Sequence, residues 1–237
     1  MKYSVTHRLR CELIIPDRKR LEIGGFIFLP EFEGGQVATQ LQTEVEARTR
    51  EEAQRKAHTL CTQFLAKLQL VENMQFTLSG VISIKEGSVT TTSKDFCARA
   101  PLGVDGNVLK DKFEQSLRGK HLRIRPLSHY AAGINATDPF VKFRNFYLVL
   151  ELYLGPTRQI TAWIKGKMPN IEMRNDEFGH PITVLSWIRH KLSHAKKKKE
   201  GLEPLLISNP QHVALVQTHT PIVQNLAREI IREREKV

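Results

Sequence analysis

Cysteine is scarce in this chain of 237 residues: Cys11, Cys61 and Cys97 are the only three. They lie far apart, no pair is spaced CxxC and the count is odd, so neither a disulfide framework nor a zinc cage assembles from them. They read as reduced core residues of a cytoplasmic protein. Long apolar runs are missing as well. The most apolar stretch, Phe146 to Leu154, is interrupted by Glu151 and falls well short of the ~20 residues a membrane-spanning helix needs. The opening Met1-Lys2-Tyr3-Ser4 leads into a strand-like pattern and not into the apolar core of a secretory leader. A soluble protein with no membrane partner is expected. Phosphate-cradling loops are also absent. Gly24-Gly25 and Gly34-Gly35 are turn pairs, and neither GxGxxG nor GxxxxGK(S/T) occurs, so nucleoside triphosphate hydrolysis has no basis. Neither HExxH nor GxSxG is present, which removes the zinc-protease and serine-hydrolase signatures. His190 and His194 are four apart and could share a helix face, but no third ligand accompanies them. Neither metal nor cofactor is expected.

What the chain has in excess is positive charge, a formal net of +11. Residues 133–237 hold 16 Lys and Arg against 10 Asp and Glu. Arg189, Lys191, Lys196, Lys197, Lys198 and Lys199 account for that whole surplus. Residues 1–132 hold 20 against 15, with Arg8, Arg10, Arg18, Lys19 and Arg20 near the start and Arg118, Lys120, Arg123 and Arg125 near the end. A clustered basic segment suits a polyanion, so nucleic acid leads as the partner class and an anionic membrane surface comes second.

Hydrophobic periodicity divides the chain into an α+β first part and a helical second part. Leu9, Cys11, Leu13 and Ile15 alternate with polar residues as in a half-buried strand that Pro16-Asp17 ends. A second strand is expected through Leu21 to Leu29 and a third through Val37 to Val45, the three forming a meander. Ala53, Ala57, Leu60, Cys61, Phe64, Leu65 and Leu68 then follow helical spacing, and Thr49 with Glu52 fits a capping box at the start of that helix. Strands are expected at Met74 to Ile84 and around Val89 to Cys97, and a short helix at Val108 to Leu117. Residues 126–138 have turn and small-residue character and mark the domain boundary, giving an α+β domain over 1–130 and a helical domain over 135–237. In the second, Phe140, Phe143, Tyr147, Leu150 and Leu154 line one side of a helix closed by Gly155-Pro156. The stretch from Gly166 to His180 reads as a loop. Pro181 suits the first turn of the next helix, whose core face is Ile182, Leu185, Ile188 and Leu192. Thr220-Pro221 begins the last one.

The segment Trp187-Ile188-Arg189-His190-Lys191-Leu192-Ser193-His194-Ala195 and the four lysines after it concentrate the chemistry. Arg is a planar donor fork for phosphate, His titrates near neutral pH, and a lysine run attracts polyanions without reading their sequence. Arg189 and His194, four residues between them, resemble the Arg-x4-His pattern of the HEPN superfamily, and the order of helices around them resembles its helical bundle. The resemblance covers about residues 135–237 and is nearest the Apea-like, defence-associated type. It implies metal-independent RNA cleavage in a prokaryotic defence or toxin system. His194 would be the general base or acid, Arg189 would hold the scissile phosphate, and His190 would assist. Lys191 and Lys196 to Lys199 would bind the RNA backbone. The family's toxin branch carries a Tyr two residues after the His, where this chain has Lys196.

On a straight helix Arg189 and His194 are about 140° apart, so either the helix ends near Ser193 or two chains build the site. The resemblance implies the latter, a homodimer about the motif helix, and Ile182, Leu185 and Trp187 give that helix apolar surface for both its own bundle and a partner copy. Glu151 lies in an otherwise apolar helical stretch and needs a partner. Arg144, two turns earlier, offers an ordinary salt bridge, and orientation of Arg189 or a His is the alternative. A protein regulator acting through the first domain is a further expected partner. Two rivals remain open: a silent RNA- or nucleotide-binding module, and an accessory subunit whose lysines meet an acidic partner.

Overall fold

Tyr3, Val5, His7 and Leu9 sit on alternate positions of the first strand and are all buried, because the two-residue repeat of a strand sends them to one face. That face founds the core of the first of two units. The computed structural model describes residues 1–86, 103–193 and 204–237, which divide into Met1–His121 and Leu122–Val237. The architecture is α+β, with the antiparallel sheet in unit 1 and the helices of unit 2 following it.

In unit 1, β1 (Lys2–Arg10), β3 (Leu21–Ile23), β4 (Phe26–Pro30), β5 (Ala38–Glu46) and β6 (Thr77–Glu86) form one sheet in the order β3-β4-β5-β1-β6. The stretch expected as one strand, Leu21 to Leu29, is a hairpin folded at Gly24-Gly25, both at positive φ. The first expected strand is likewise divided, since β1 ends at Arg10 and β2 (Leu13–Ile14) pairs in parallel with β7 (Val104–Asp105). Helix α1 (Arg50–Glu72) crosses the sheet and packs Ala53 and Ala57 against Tyr3, Val5, Val45 and Ile84. Thr49 caps it by accepting from the Glu52 N–H at 3.2 Å, while the Glu52 carboxylate returns to the Arg48 N–H at 2.8 Å. Leu60, expected on its core face, is 43% exposed. Helix α2 (Gly106–Ser116) is capped by Asp105 and buries Phe113. The expected strand around Val89 to Cys97 lies outside the described residues.

Unit 2 is built around α4 (Pro139–Leu154), whose Phe143, Phe146, Tyr147, Val149 and Leu150 are buried. Asp138 caps it with Pro139 in the first turn. The segment 126–138, expected as a turn, is mostly α3 (Ile124–Asn135), and the units divide between His121 and Leu122. Gly133 there serves packing: a Cβ on it would lie 2.6 Å from Phe146 Cε1. After α4 comes α5 (Thr157–Lys167), a helix without a counterpart in the expected elements. Part of the expected loop pairs as the hairpin β8 (Met173–Asn175) with β9 (Pro181–Thr183), so Pro181 and Ile182 are strand residues and α6 begins later, over Val184–Ser193. The last helix, α7 (Pro210–Glu235), starts eleven residues before its expected first residue, Pro221. Proline removes one helical N–H bond. In the turn ahead of it Thr218, His219 and Thr220 hydrogen-bond the carbonyls of Ala214, Leu215 and Val216 through their side chains. No helix among the described residues is long and apolar enough to cross a membrane.

Candidate functional site

Ser186 and Arg189 occupy successive turns of α6, three residues apart, and both meet side chains of α4. Beneath lies a cluster of four hydroxyls. Tyr147 donates to Ser186 Oγ at 2.8 Å, and Ser186 Oγ is 3.0 Å from Thr183 Oγ1 and 3.4 Å from Thr161 Oγ1. Thr183 also accepts from the Ser186 N–H at 3.3 Å, the bond with which a Ser or Thr starts a helix. All four residues are buried, and together they fasten α4, α5, β9 and α6 at one point. A hydroxyl accepts and donates, so such a cluster satisfies itself without water. Burial pushes the Tyr147 phenol well above its ordinary pKa, so this group stays protonated and keeps donating.

One turn further along each helix stands the ion pair. Arg189 Nε is 3.1 Å from Glu151 Oε1, and Nη2 donates to Oε2 at 3.2 Å. Only the second contact has hydrogen-bond alignment, since the Nε hydrogen points off the carboxylate. The arginine is the better covered partner, 15% exposed at its side chain against 31% for Glu151. One aligned hydrogen bond within an ion pair seats the guanidinium against the carboxylate. Of the two partners open to Glu151, the distant one is taken: Arg144 is exposed, and the carboxylate faces Arg189 across thirty-eight residues of chain.

Neighbouring residues of α6 brace the same corner. His190 Nε2 lies 3.1 Å from Thr157 Oγ1 at the start of α5. Trp187 lies beneath two cations, the Arg174 guanidinium 4.5 Å and the Lys191 ammonium 5.3 Å from its ring centre. Lys191 is thus laid along α6 over the indole of the preceding turn. Of the three residues expected to serve both their own bundle and a partner copy, Ile182 and Leu185 are buried inside unit 2 and Trp187 is half-buried. His194 and Lys196 to Lys199 lie outside the described residues.

Sequence reasoning missed Tyr147, Thr157, Thr161, Thr183 and Ser186. One local signal was available, Thr183 ahead of an apolar helical repeat with Ser186 three positions on. Among the described residues no group of three or more His, Cys, Asp or Glu could hold a metal ion. The chemistry within reach is a positioned guanidinium on a buried polar base, directly ahead in sequence of a histidine and four lysines.

A family model described as Methylamine utilization protein MauJ matches residues 126–232. The match covers less than half of the chain and lies entirely within unit 2, spanning Glu151 and Arg189. Neither the curated proteins nor the solved structures yield a match.

Proposed function

We propose that unit 2 is a metal-independent endoribonuclease domain of HEPN type, acting in a homodimer within a prokaryotic defence or toxin system, with unit 1 receiving the controlling signal. The observation that carries this reading is the hydrogen-bonded ion pair of Glu151 with Arg189 above the buried hydroxyls. It sets a permanently charged group at a fixed orientation before substrate arrives, the condition under which electrostatic stabilisation of a transition state is most effective. Glu151 accepts from Nη2, and Nη1, which has no partner among the described residues, meets the scissile phosphate.

In the reaction the ribose 2′-oxygen attacks the adjacent phosphorus, its proton passes to a base, and the 5′-oxygen of the next nucleotide leaves with a proton. His194 serves as one of these proton carriers. Lys191 and Lys196 to Lys199 add backbone affinity, and His190 keeps α6 seated on α5. The products are a 2′,3′-cyclic phosphate and a 5′-hydroxyl. Incubating the purified protein with total RNA in EDTA tests the reading. Cleavage with cyclic phosphate ends is expected, and its disappearance in His194→Ala while RNA binding persists. Intact RNA at every salt concentration tried refutes it. Retained binding without cleavage would point to the silent RNA-binding alternative.

A second reading follows the matched family's description, a role in methylamine utilization. Impaired growth of a deletion strain on methylamine, together with intact RNA in the cleavage assay, would favour it.

A further inference from the structure

We propose that unit 1 binds a mononucleotide in the groove between α1, α2 and the β3–β4 turn, with the base against Phe26 and the phosphate on Lys67 and Lys110. The groove is a cavity of about 460 Å³, within the ~300–1,000 Å³ usual for small-molecule sites. Its floor is aromatic. Phe26 lies flat on Phe64, centroids 4.0 Å apart and planes 5° apart, and Phe113 meets Phe64 edge-on at 5.5 Å. Phe64 and Phe113 are buried, whereas Phe26 is half-buried and Leu60 beside it is exposed. Flat apolar surface is therefore left uncovered where the groove opens. The turn closes tightly over this floor because residue 24 is glycine: at φ +57°, a Cβ there would stand 2.9 Å from Phe113 Cε1.

The rim settles the charge of the occupant. Three cations, Lys67, Lys110 and Arg118, and two carboxylates, Glu22 and Glu114, line it. Arg118 and Glu114 neutralise each other in an ion pair one helical turn apart, leaving two ammonium groups against Glu22. Lys67 donates to the Lys120 carbonyl at 2.9 Å, and burial lowers its pKa from the ordinary lysine value, so an arriving anion would offset part of that desolvation. An aromatic floor with a net positive rim fits a ligand that is planar and apolar at one end and anionic at the other. Stacking on an aromatic ring accepts every base, because every base has a π-face, and lysine binds phosphate as a point charge. A mononucleotide combines the two chemistries at the scale of this groove.

The full-length protein is titrated calorimetrically with AMP, GMP, CMP and UMP, with adenosine, with ribose 5-phosphate and with inorganic phosphate. Saturable binding of the mononucleotides is expected, with ribose 5-phosphate and phosphate at least about tenfold weaker, the loss that one stacking contact predicts. Phe26→Ala should weaken AMP by about tenfold. Lys110→Glu, at a half-buried position of the groove rim, should weaken AMP but leave adenosine unaltered. Replacing Lys196 to Lys199 by alanine should leave mononucleotide binding intact, which separates this groove from the RNA surface proposed for unit 2. The proposal is overturned by failure of every mononucleotide to bind, by ribose 5-phosphate binding as well as AMP, or by AMP affinity that follows the four lysines and ignores Phe26 and Lys110.

Discussion

Two of the three arginine–glutamate pairs among the described residues of unit 2 have nearly the same contact distance and opposite burial. At the α3–α7 corner Arg123 Nε meets Glu235 Oε1 at 3.0 Å, and the carboxylate is the covered partner, 9% exposed against 57% for the arginine. At the α4–α6 corner the arginine is the covered one. Glu235 also accepts from the Tyr153 hydroxyl at 2.7 Å, and the Arg123 guanidinium lies 4.0 Å over the Tyr153 ring. The Arg123 side chain, the Arg123 N–H at 3.4 Å and the Tyr153 hydroxyl thus converge on one acid that ties the start of α3 to the end of α7. At the other corner the acid does the holding and the cation keeps an edge. The first arrangement suits a clasp and the second suits a charge kept for use.

Substituting each corner tests the distinction, and the largest effect belongs to Arg189. Arg189→Ala should lower RNA cleavage by about 10²–10³-fold, the usual cost of losing one transition-state donor, and Arg189→Lys should recover little because an ammonium cannot reproduce the fork. Normal cleavage by Arg189→Ala would make that corner a second clasp. Glu151→Gln keeps the shape and removes the carboxylate charge. It should lower kcat by about tenfold to a hundredfold through loss of orientation, with KM no higher than in the wild type because one negative charge near the RNA has gone. A higher KM with unchanged kcat would show that Glu151 serves binding alone.

The clasp should respond in stability and not in chemistry. Burial opposes ionisation of Glu235, but the hydrogen bonds from Tyr153 and Arg123 outweigh it and hold the carboxyl below the ordinary carboxylate range. A depressed folded-state pKa stabilises the native form above the unfolded value of about 4.3, and that contribution is lost as pH falls through the folded pKa. Glu235→Gln should therefore destabilise by about 1–2 kcal/mol at pH 7, converge on the wild type in acid, and leave cleavage per folded molecule unaltered. Denaturant midpoints at several pH values check it.

The same pairs show how far the sequence could be read. Arg189 was visible through its spacing to His194, and Glu151 through its isolation in an apolar stretch, yet the partner of Glu151 lay thirty-eight residues off and no periodicity points that far. Arg144 was the near candidate because helical spacing sees only local neighbours. Helix α1 was legible from its apolar repeat and from Thr49 with Glu52, since both signals are local. Helix α5 was not, because Ile160, Thr161 and Ile164 are its only buried residues and Pro156 and Gly166 read as breakers. Helix α3 was hidden by Ala131, Ala132 and Gly133, of which Gly133 is small because Phe146 packs against it and not because the chain turns. Pro221 looked like a helix start because the hydroxyl and imidazole bonds ahead of it exist only once the helix has formed.

The smallest effect comes from a third buried polar group, which sharpens the comparison because it lacks what both corners have. His7 is fully buried beneath α1, its Nε2 meets no hydrogen-bond partner among the described residues, and Cys61 Sγ lies 3.9 Å from its Nδ1. Desolvation, helped by His58, lowers its pKa to about 4. Between that value and the unfolded value of about 6.5 the unfolded chain binds the proton that the native chain refuses. Stability should therefore rise with pH through this window and be free of the penalty above it. His7→Leu removes both the titration and the unanswered nitrogen, whose burial costs on the order of 1 kcal/mol. The variant should be more stable than the wild type, by a wider margin at pH 5 than at pH 8. An equal margin at the two pH values would mean that folding does not lower the His7 pKa, and a loss of stability at both would mean that the imidazole contributes packing that leucine cannot replace.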